Sequence, residues 1–322
     1  MSIQIISTGS YLPELIVSND DMTSFLDTSD EWITSRSGIK SRHIAAKETT
    51  TYMGAKAAKL ALERSGLKPE DIDLIVCATL TPDTFAPMVA ANIQKELGIE
   101  SAAAFDMNAN CSGFIYAVTI AESMMKNCGY KNSIVVGSDA NSQILDWSDR
   151  ATCVLFGDGA GAVVLSDNEK RGIISSYLNC IPDKDEALSR KCVLYKTPFF
   201  NSERTEDTKV KMKGQNVMRF AVRACIEAVE IVMKKADVSM EDIKFIVPHQ
   251  ANKRIIDTAA KTMGVDINKF FVNIDMTGNT SSATIPIALD EMIRNNLIKR
   301  GDLIMFVAFG GGLSSGAILL EW

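Results

Sequence analysis

The chain has 322 residues, 46% hydrophobic and 23% charged, with a formal net charge of -6; this fits a soluble globular protein of one large or two ordinary domains and argues against an extended nucleic-acid footprint. No stretch reaches the roughly 18 uninterrupted apolar residues of a membrane helix, and the opening MSIQIISTGSYLPE has no basic leader. Seven scattered cysteines (77, 111, 128, 153, 180, 192 and 225) and only two histidines predict free thiols in a reducing cytoplasm and no metal site.

In chain order, residues 51–65 are Ala- and Lys-rich at helical spacing and stop at Gly66. LIVCATL (74–80) is a short apolar run between Asp73 and Pro82, which predicts a buried strand. A strand-like AAAFDM leads through small residues into a helix predicted over 112–127, ended by Gly129. SIVVGS (133–138) and CVLFGD (153–158) read as strands. The stretch 179–214 is polar and irregular and predicts loops or a flap. The pattern then resumes: helix 215–235, strand FIVP, helix 281–296, strand LIMFVAF and a last strand AILLEW. Strands alternating with helices predict an α/β fold with sheets covered on both sides.

Three pairs of segments match in the same order. EDIDLIV (70–76) pairs with EDIKFIV (241–247), DMNANCS (106–112) with DMTGNTS (275–281), and FGDGAGAVVL (156–165) with FGGGLSSGAIL (309–319). The order predicts a duplication, with halves 1–169 and 170–322 meeting in the polar stretch SDNEKRG (166–172). On this alignment Asn279 matches Asn110, and Thr280 matches Cys111.

Cys111 is the one cysteine in a strand–turn–helix setting. The positive end of a helix and its free N–H groups favour thiolate, so a lowered thiol pKa and a nucleophilic role are expected. The other six read as structural cysteines. His249, in FIVPHQANKRII, follows the end of a buried strand, where ligands gather in α/β folds. His43 has no such setting. Asn279 alone reads as a turn residue, and the repeat to the nucleophile turn raises it to a candidate.

Together these segments resemble β-ketoacyl-acyl-carrier-protein synthase III, a family of thiolase-fold condensing enzymes. The resemblance rests on SDEWITSRSGIKSRHIA (29–45), FDMNANCSGF (105–114), DRATCVLFGDGAGAVVL (149–165), VPHQANKRII (247–256), TGNTSSATIPIAL (277–289) and FGGGLSSGAILLEW (309–322). It implies two α/β halves layered αβαβα and decarboxylative Claisen condensation of an acyl-CoA with malonyl-acyl-carrier protein, initiating fatty acid synthesis. A homodimer in the cytoplasm is implied, with no cofactor, acyl-CoA being a substrate. Cys111 would carry the acyl group, and His249 and Asn279 would donate hydrogen bonds to the enolate oxygen. The N–H groups of Cys111 and Gly311 would form an oxyanion hole.

Carried over residue by residue, Trp32 and Arg150 would sandwich the adenine of CoA, and Arg36, Gly214, Ala251 and Asn252 would line the pantetheine tunnel. From its setting alone, Trp32 reads as a core anchor. Arg219, Arg254 and Lys261 match a face that would dock acyl carrier protein; Lys261 reads equally as a solvated helix face. Phe85 would cap the acyl pocket across the dimer. The chain departs from the family pattern at Asn110, in a loop 81–88 one residue short, and at Met218, where an aromatic is frequent. These departures leave open the primer and a specialised synthase of secondary metabolism. A papain-like cysteine hydrolase also uses Cys, His and Asn, but this chain lacks that family's local sequence around the cysteine. Retention of all three residues argues against a silent scaffold.

Overall fold

The computed structural model describes residues 2–168, 171–191, 198–199 and 208–322. The apolar runs form two sheets with one strand order. The first sheet runs Ser2–Tyr11, Gly159–Asn168, Asn132–Asp139, Leu74–Ala78, Ala103–Met107. Its first two pairings are antiparallel and the next two parallel. The second runs Ile173–Cys180, Ser314–Glu321, Leu303–Gly310, Ile243–Pro248, with pairings of the same sense. A lone parallel bridge from Ile246 to Phe270 stands where the first sheet has its fifth strand.

Two helices lie between the sheets, Gly113–Cys128 and Thr284–Arg294. Their side chains, among them Phe114, Val118, Leu289 and Met292, share one core with Val76 and Val135 of the first sheet and Phe306 and Ile318 of the second. Each such buried side chain contributes about 1.5–3 kcal/mol. Thr50–Ser65 and Val89–Glu96 cover the outer face of the first sheet. Gly214–Ala236 and Lys253–Met263 cover the outer face of the second. The result is five layers, αβαβα.

Most expected elements form where the sequence places them. The helix over 51–65 is Thr50–Ser65, and Gly66 ends it at φ 75°. The helix after Cys111 starts at Gly113 and stops at Gly129, φ 77°. The strand expected over 153–158 does not form. Residues 151–155 are turns, Phe156 makes one isolated bridge to Asn279, and the strand begins at Gly159. The apolar run there belongs to a satellite core, with Cys153, Val154 and Phe156 packed among Met22, Ile33 and Ile274. A Cβ on Gly157 would lie 2.4 Å from the Thr277 carbonyl oxygen, so backbone passes against backbone. Within 179–214 the described part includes a two-stranded ribbon, Leu188–Ser189 with Lys211–Met212. The rest of that stretch, Cys192 included, and residues 169–170 of the expected junction lie outside the described residues.

Candidate active site

Both central helices are entered through the same tight turn. In the first half, Asn110–Ser112 form a 3-10 turn with Asn110 at φ 51°, followed by Ser112 (φ -84°, ψ 0°) and Gly113 (φ -51°, ψ -40°). In the second, Ser281–Ala283 form a 3-10 turn with Ser281 at φ 54°, followed by Ala283 (φ -80°, ψ -13°) and Thr284 (φ -58°, ψ -46°). This match corrects the register read from sequence. Cys111 corresponds to Ser282, not Thr280, and Asn110 to Ser281, not Asn279. The loop before the second turn is two residues longer, which the match anchored on Asp-Met concealed.

Cys111 is buried, and Ser281 Oγ donates to its Sγ at 3.6 Å. Burial pushes the thiol up to about 12; the Ser281 hydroxyl and the cysteine's own N–H act in the opposite direction and are outweighed. The expected lowering is therefore overturned, because the sulfur is withdrawn from water at the junction of the halves. A Cβ on Gly310 would lie 2.9 Å from Cys111 N, so the glycine turn after Leu303–Gly310 closes against the Cys111 turn. Gly311 is buried beside it, and its carbonyl accepts from Asn110 Nδ2 at 3.2 Å and Ser314 Oγ at 3.0 Å.

His249 follows the strand Ile243–Pro248, and its N–H donates to the Val307 carbonyl at 2.8 Å. The ring is buried, with Nδ1 2.7 Å from Thr284 Oγ1 and the Phe309 ring edge-on at 5.2 Å between centroids. Burial lowers its pKa to about 3, so the ring is neutral near pH 7. Asn279 is also buried. Its Oδ1 accepts from Ser281 N at 2.8 Å, which leaves the Nδ2 hydrogens as the free donors of that amide.

Cys111, His249 and Asn279 line one cavity of about 520 Å³. Phe309, Gly310 and Leu313 also line it, and its outer part is bordered by Trp32, Arg36, Arg150, Gly214, Ala251, Asn252 and Arg254. Trp32 is half-buried, with the Arg150 guanidinium 4.8 Å from its ring centroid and that of Arg36 at 5.6 Å. Trp32 and Arg150 thus stack on each other, and Arg150 also donates to the Asp27 carbonyl. Asn252 joins two helices at the rim, since its Oδ1 caps Lys253–Met263 and its Nδ2 donates to the Arg36 carbonyl at 3.0 Å.

Residues 105–181 match the family model for 3-oxoacyl-[acyl-carrier-protein (ACP)] synthase III, and residues 233–322 match the model for its C-terminal part. A beta-ketoacyl-[acyl-carrier-protein] synthase III of Clostridium acetobutylicum is 48% identical over 321 residues, covering 100% of this chain and 99% of that protein. The chain belongs to the synthase III family. A crystal structure of 3-oxoacyl-[acyl-carrier-protein] synthase III from Aquifex aeolicus VF5 superposes with a TM-score of 0.93 at 44% identity, each chain covered in full. The priming beta-ketosynthase of the R1128 polyketide pathway superposes at 0.91 with 33% identity, over 99% of this chain and 96% of that one. The fold is the thiolase fold, and this synthase III is an acyltransferase of the condensing type.

Other sequence candidates lie apart from the cavity. Phe85 is 84% exposed and does not line it. Arg219 is exposed on Gly214–Ala236, bordering a shallow groove with Met218, Val222 and Ile226, and Lys261 is exposed on Lys253–Met263. Sequence reasoning missed Ser281, Thr284, Phe309 and Asp139. The adjacent serines in NTSSAT were the only trace of the first, since their partners lie far along the chain.

Proposed function

We propose that this synthase III condenses an acyl group carried on Cys111 with a decarboxylating malonyl-acyl-carrier protein, yielding the 3-oxoacyl-carrier protein that starts fatty acid synthesis. The convergence of Cys111, His249 and Asn279 on one cavity carries the reading. In acylation, Cys111 sulfur bonds to the carbonyl of a short acyl-CoA, the bond to CoA sulfur breaks, and the thiol proton leaves with CoA. In condensation, the malonyl carboxylate departs as carbon dioxide and an enolate forms. Asn279 Nδ2 and His249 Nε2 donate to its oxygen. For this the Thr284 hydroxyl turns its hydrogen from the Ser281 carbonyl, 3.1 Å away, to His249 Nδ1, which leaves the ring hydrogen on Nε2. The enolate carbon then attacks the acyl carbonyl, whose oxygen is held by the N–H groups of Cys111 and Gly311, and Cys111 departs and takes up a proton. Two fixed donors in a dry pocket contribute roughly 3 kcal/mol each to such a step.

Trp32, Arg36, Arg150, Gly214, Ala251 and Asn252 bind CoA in this reading. Arg150 swings off Trp32 to admit the adenine, because the two rest against each other. No cofactor takes part. Arg219, Arg254 and Lys261 meet the acidic carrier protein. The halves are 1–169 and 170–322, and two chains associate in the cytoplasm. Support for a dimer comes from the edge strand Ala103–Met107, half-buried along its length, and from Phe85 and Met88 exposed nearby. Among the described residues, no helix is long and apolar enough to cross a membrane.

The test is mass spectrometry of the protein after exposure to a panel of acyl-CoAs, followed by malonyl-carrier protein. Acylation at Cys111 and then carbon dioxide release are expected. An acyl group on Cys77 or Cys153 refutes the assignment.

A further inference from the structure

Asp139 ends the strand Asn132–Asp139 with its side chain fully buried. Its Oδ1 accepts from Thr79 Oγ1 (3.0 Å), Leu80 N (2.8 Å) and Thr81 Oγ1 (3.1 Å). Its Oδ2 accepts from Ser282 Oγ (2.6 Å) and Ser282 N (3.1 Å). The two threonine hydroxyls themselves accept backbone N–H groups, Thr79 from Thr81 N at 3.1 Å and Thr81 from Ala140 N at 2.8 Å, so their hydrogens are directed to Asp139. All five partners are donors. Burial pushes this carboxyl's pKa up, and the hydrogen bonds from Ser282, Leu80 and Thr79 act the other way; the Ser282 hydroxyl also reaches the Ala78 carbonyl at 2.9 Å.

One oxygen therefore holds the start of the loop that carries Phe85, and the other holds Ser282. The neighbouring Ser281 turns its hydroxyl to Cys111 and its N–H to Asn279. We propose that Asp139 is a positioning residue for the condensing site: its carboxylate pins the Ser281–Ala283 turn that orients Asn279 and hydrogen-bonds the nucleophile, and ties that turn to Thr79–Thr81. This rests on the reading of Cys111 as the acylated residue. The charge also reaches the nucleophile. After burial, Asp139 is a further cause that pushes the Cys111 thiol up, and Cys77 and Asp158 are the other buried titratable groups that feel it.

The decisive variant is Asp139→Asn, which keeps the volume. Whichever way the amide turns, its NH2 faces a backbone N–H that cannot reverse, Leu80 on one side or Ser282 on the other. The turn must shift, and a displacement of about 1 Å away from the reacting atoms costs on the order of 100-fold. The expected result is a kcat for acylation from acetyl-CoA reduced by about that factor, with KM for acetyl-CoA within about twofold, since the cavity mouth is untouched. The pH midpoint for alkylation of Cys111 by iodoacetamide should fall, because a buried negative charge is gone; a merely structural role leaves that midpoint in place. Wild-type kcat together with a wild-type midpoint overturns the proposal. Should Asp139→Asn fail to fold, Ser282→Ala removes one donor only and is expected to lower kcat about tenfold at constant KM; an unchanged kcat there also overturns it. If the wild-type enzyme takes no acyl group from any acyl-CoA, the functional reading fails, while the alkylation profile still tests Asp139.

Discussion

The two turns that open the central helices share a backbone and differ in chemistry. In Asn110–Ser112, the middle side chain is a cysteine on the cavity. In Ser281–Ala283, the middle side chain is Ser282, directed into the protein at Asp139 and the Ala78 carbonyl. The left-handed first residue also differs. Asn110 reaches across to Gly311, whereas Ser281 reaches across to the Cys111 sulfur. In the proposed reaction one half thus supplies the nucleophile, and the same turn in the other half supplies the scaffolding for it. The two halves hold equivalent frames, and only the one at Cys111 opens on the cavity.

The sharpest way to break this comparison is to move the nucleophile. Cys111→Ala should abolish acyl transfer, by at least about 10³-fold. Adding Ser282→Cys should not restore it, because a sulfur at 282 points at Asp139 and does not line the cavity. Mass spectrometry after acyl-CoA exposure reads the outcome. An acyl group on residue 282 would mean that the second frame is open to substrate.

Much of this was legible in the sequence for a physical reason: strand–turn–helix junctions are local. The small residues before Cys111, the Gly66 and Gly129 stops and the apolar strands fix conformation within a few residues, and the turn at Cys111 lies where they imply. Three readings failed where distant chain decides. The register of the repeat slipped by two because identity at Asp-Met outweighed a longer loop. The run 153–158 lost its strand because Gly157 must pass against Thr277. The thiol direction reversed because Cys111 is buried where chain far along the sequence, such as Gly310, closes over its turn, and burial outweighs the hydrogen bond from Ser281. Asp139 was invisible for the same reason, its partners lying at 79–81 and 282.

The next largest effects divide the half-reactions. His249→Ala and Asn279→Ala should each slow malonyl decarboxylation about 100- to 1,000-fold and keep most of the acylation. Equal loss in both half-reactions would show that the C-terminal half also activates the thiol. His249 has a second readout. Its folded pKa of about 3 lies below the ordinary 6.5, so between these values the unfolded chain binds a proton that the folded chain does not. Stability should therefore fall as pH drops from about 6.5 towards 3, by up to about 1.4 kcal/mol per pH unit from this group. Thermal melts of His249→Gln should lack that share of the slope.

A smaller effect separates scaffold from nucleophile. Ser281→Gly keeps the left-handed conformation without strain and removes the hydroxyl that donates to Cys111. The thiol should rise further, and acylation at neutral pH should slow about tenfold, the equivalent of roughly one pKa unit. The alkylation midpoint of Cys111 should move up with it. A midpoint that stays put would reduce the contact at 3.6 Å to packing.

The smallest expected effect concerns the cavity mouth, where the halves differ again. After its strand, the second half opens the helix Lys253–Met263 with Lys253 and Arg254, while the first half opens Val89–Glu96 with Val89 and Ala90. Lys253 is paired to Asp257 at 2.7 Å, and Arg254 is exposed and lines the cavity. Arg254→Glu should raise KM for malonyl-carrier protein about fivefold and leave KM for acyl-CoA nearly unchanged, because a rim charge steers an acidic partner without touching the thiol. The difference should shrink as salt rises, since exposed charges are screened over about 8 Å at physiological ionic strength. If Arg254 instead holds the phosphates of CoA, the KM for acyl-CoA rises as well. Michaelis constants for both substrates at low and high salt separate these outcomes, and an unchanged constant for malonyl-carrier protein removes Arg254 from the docking face.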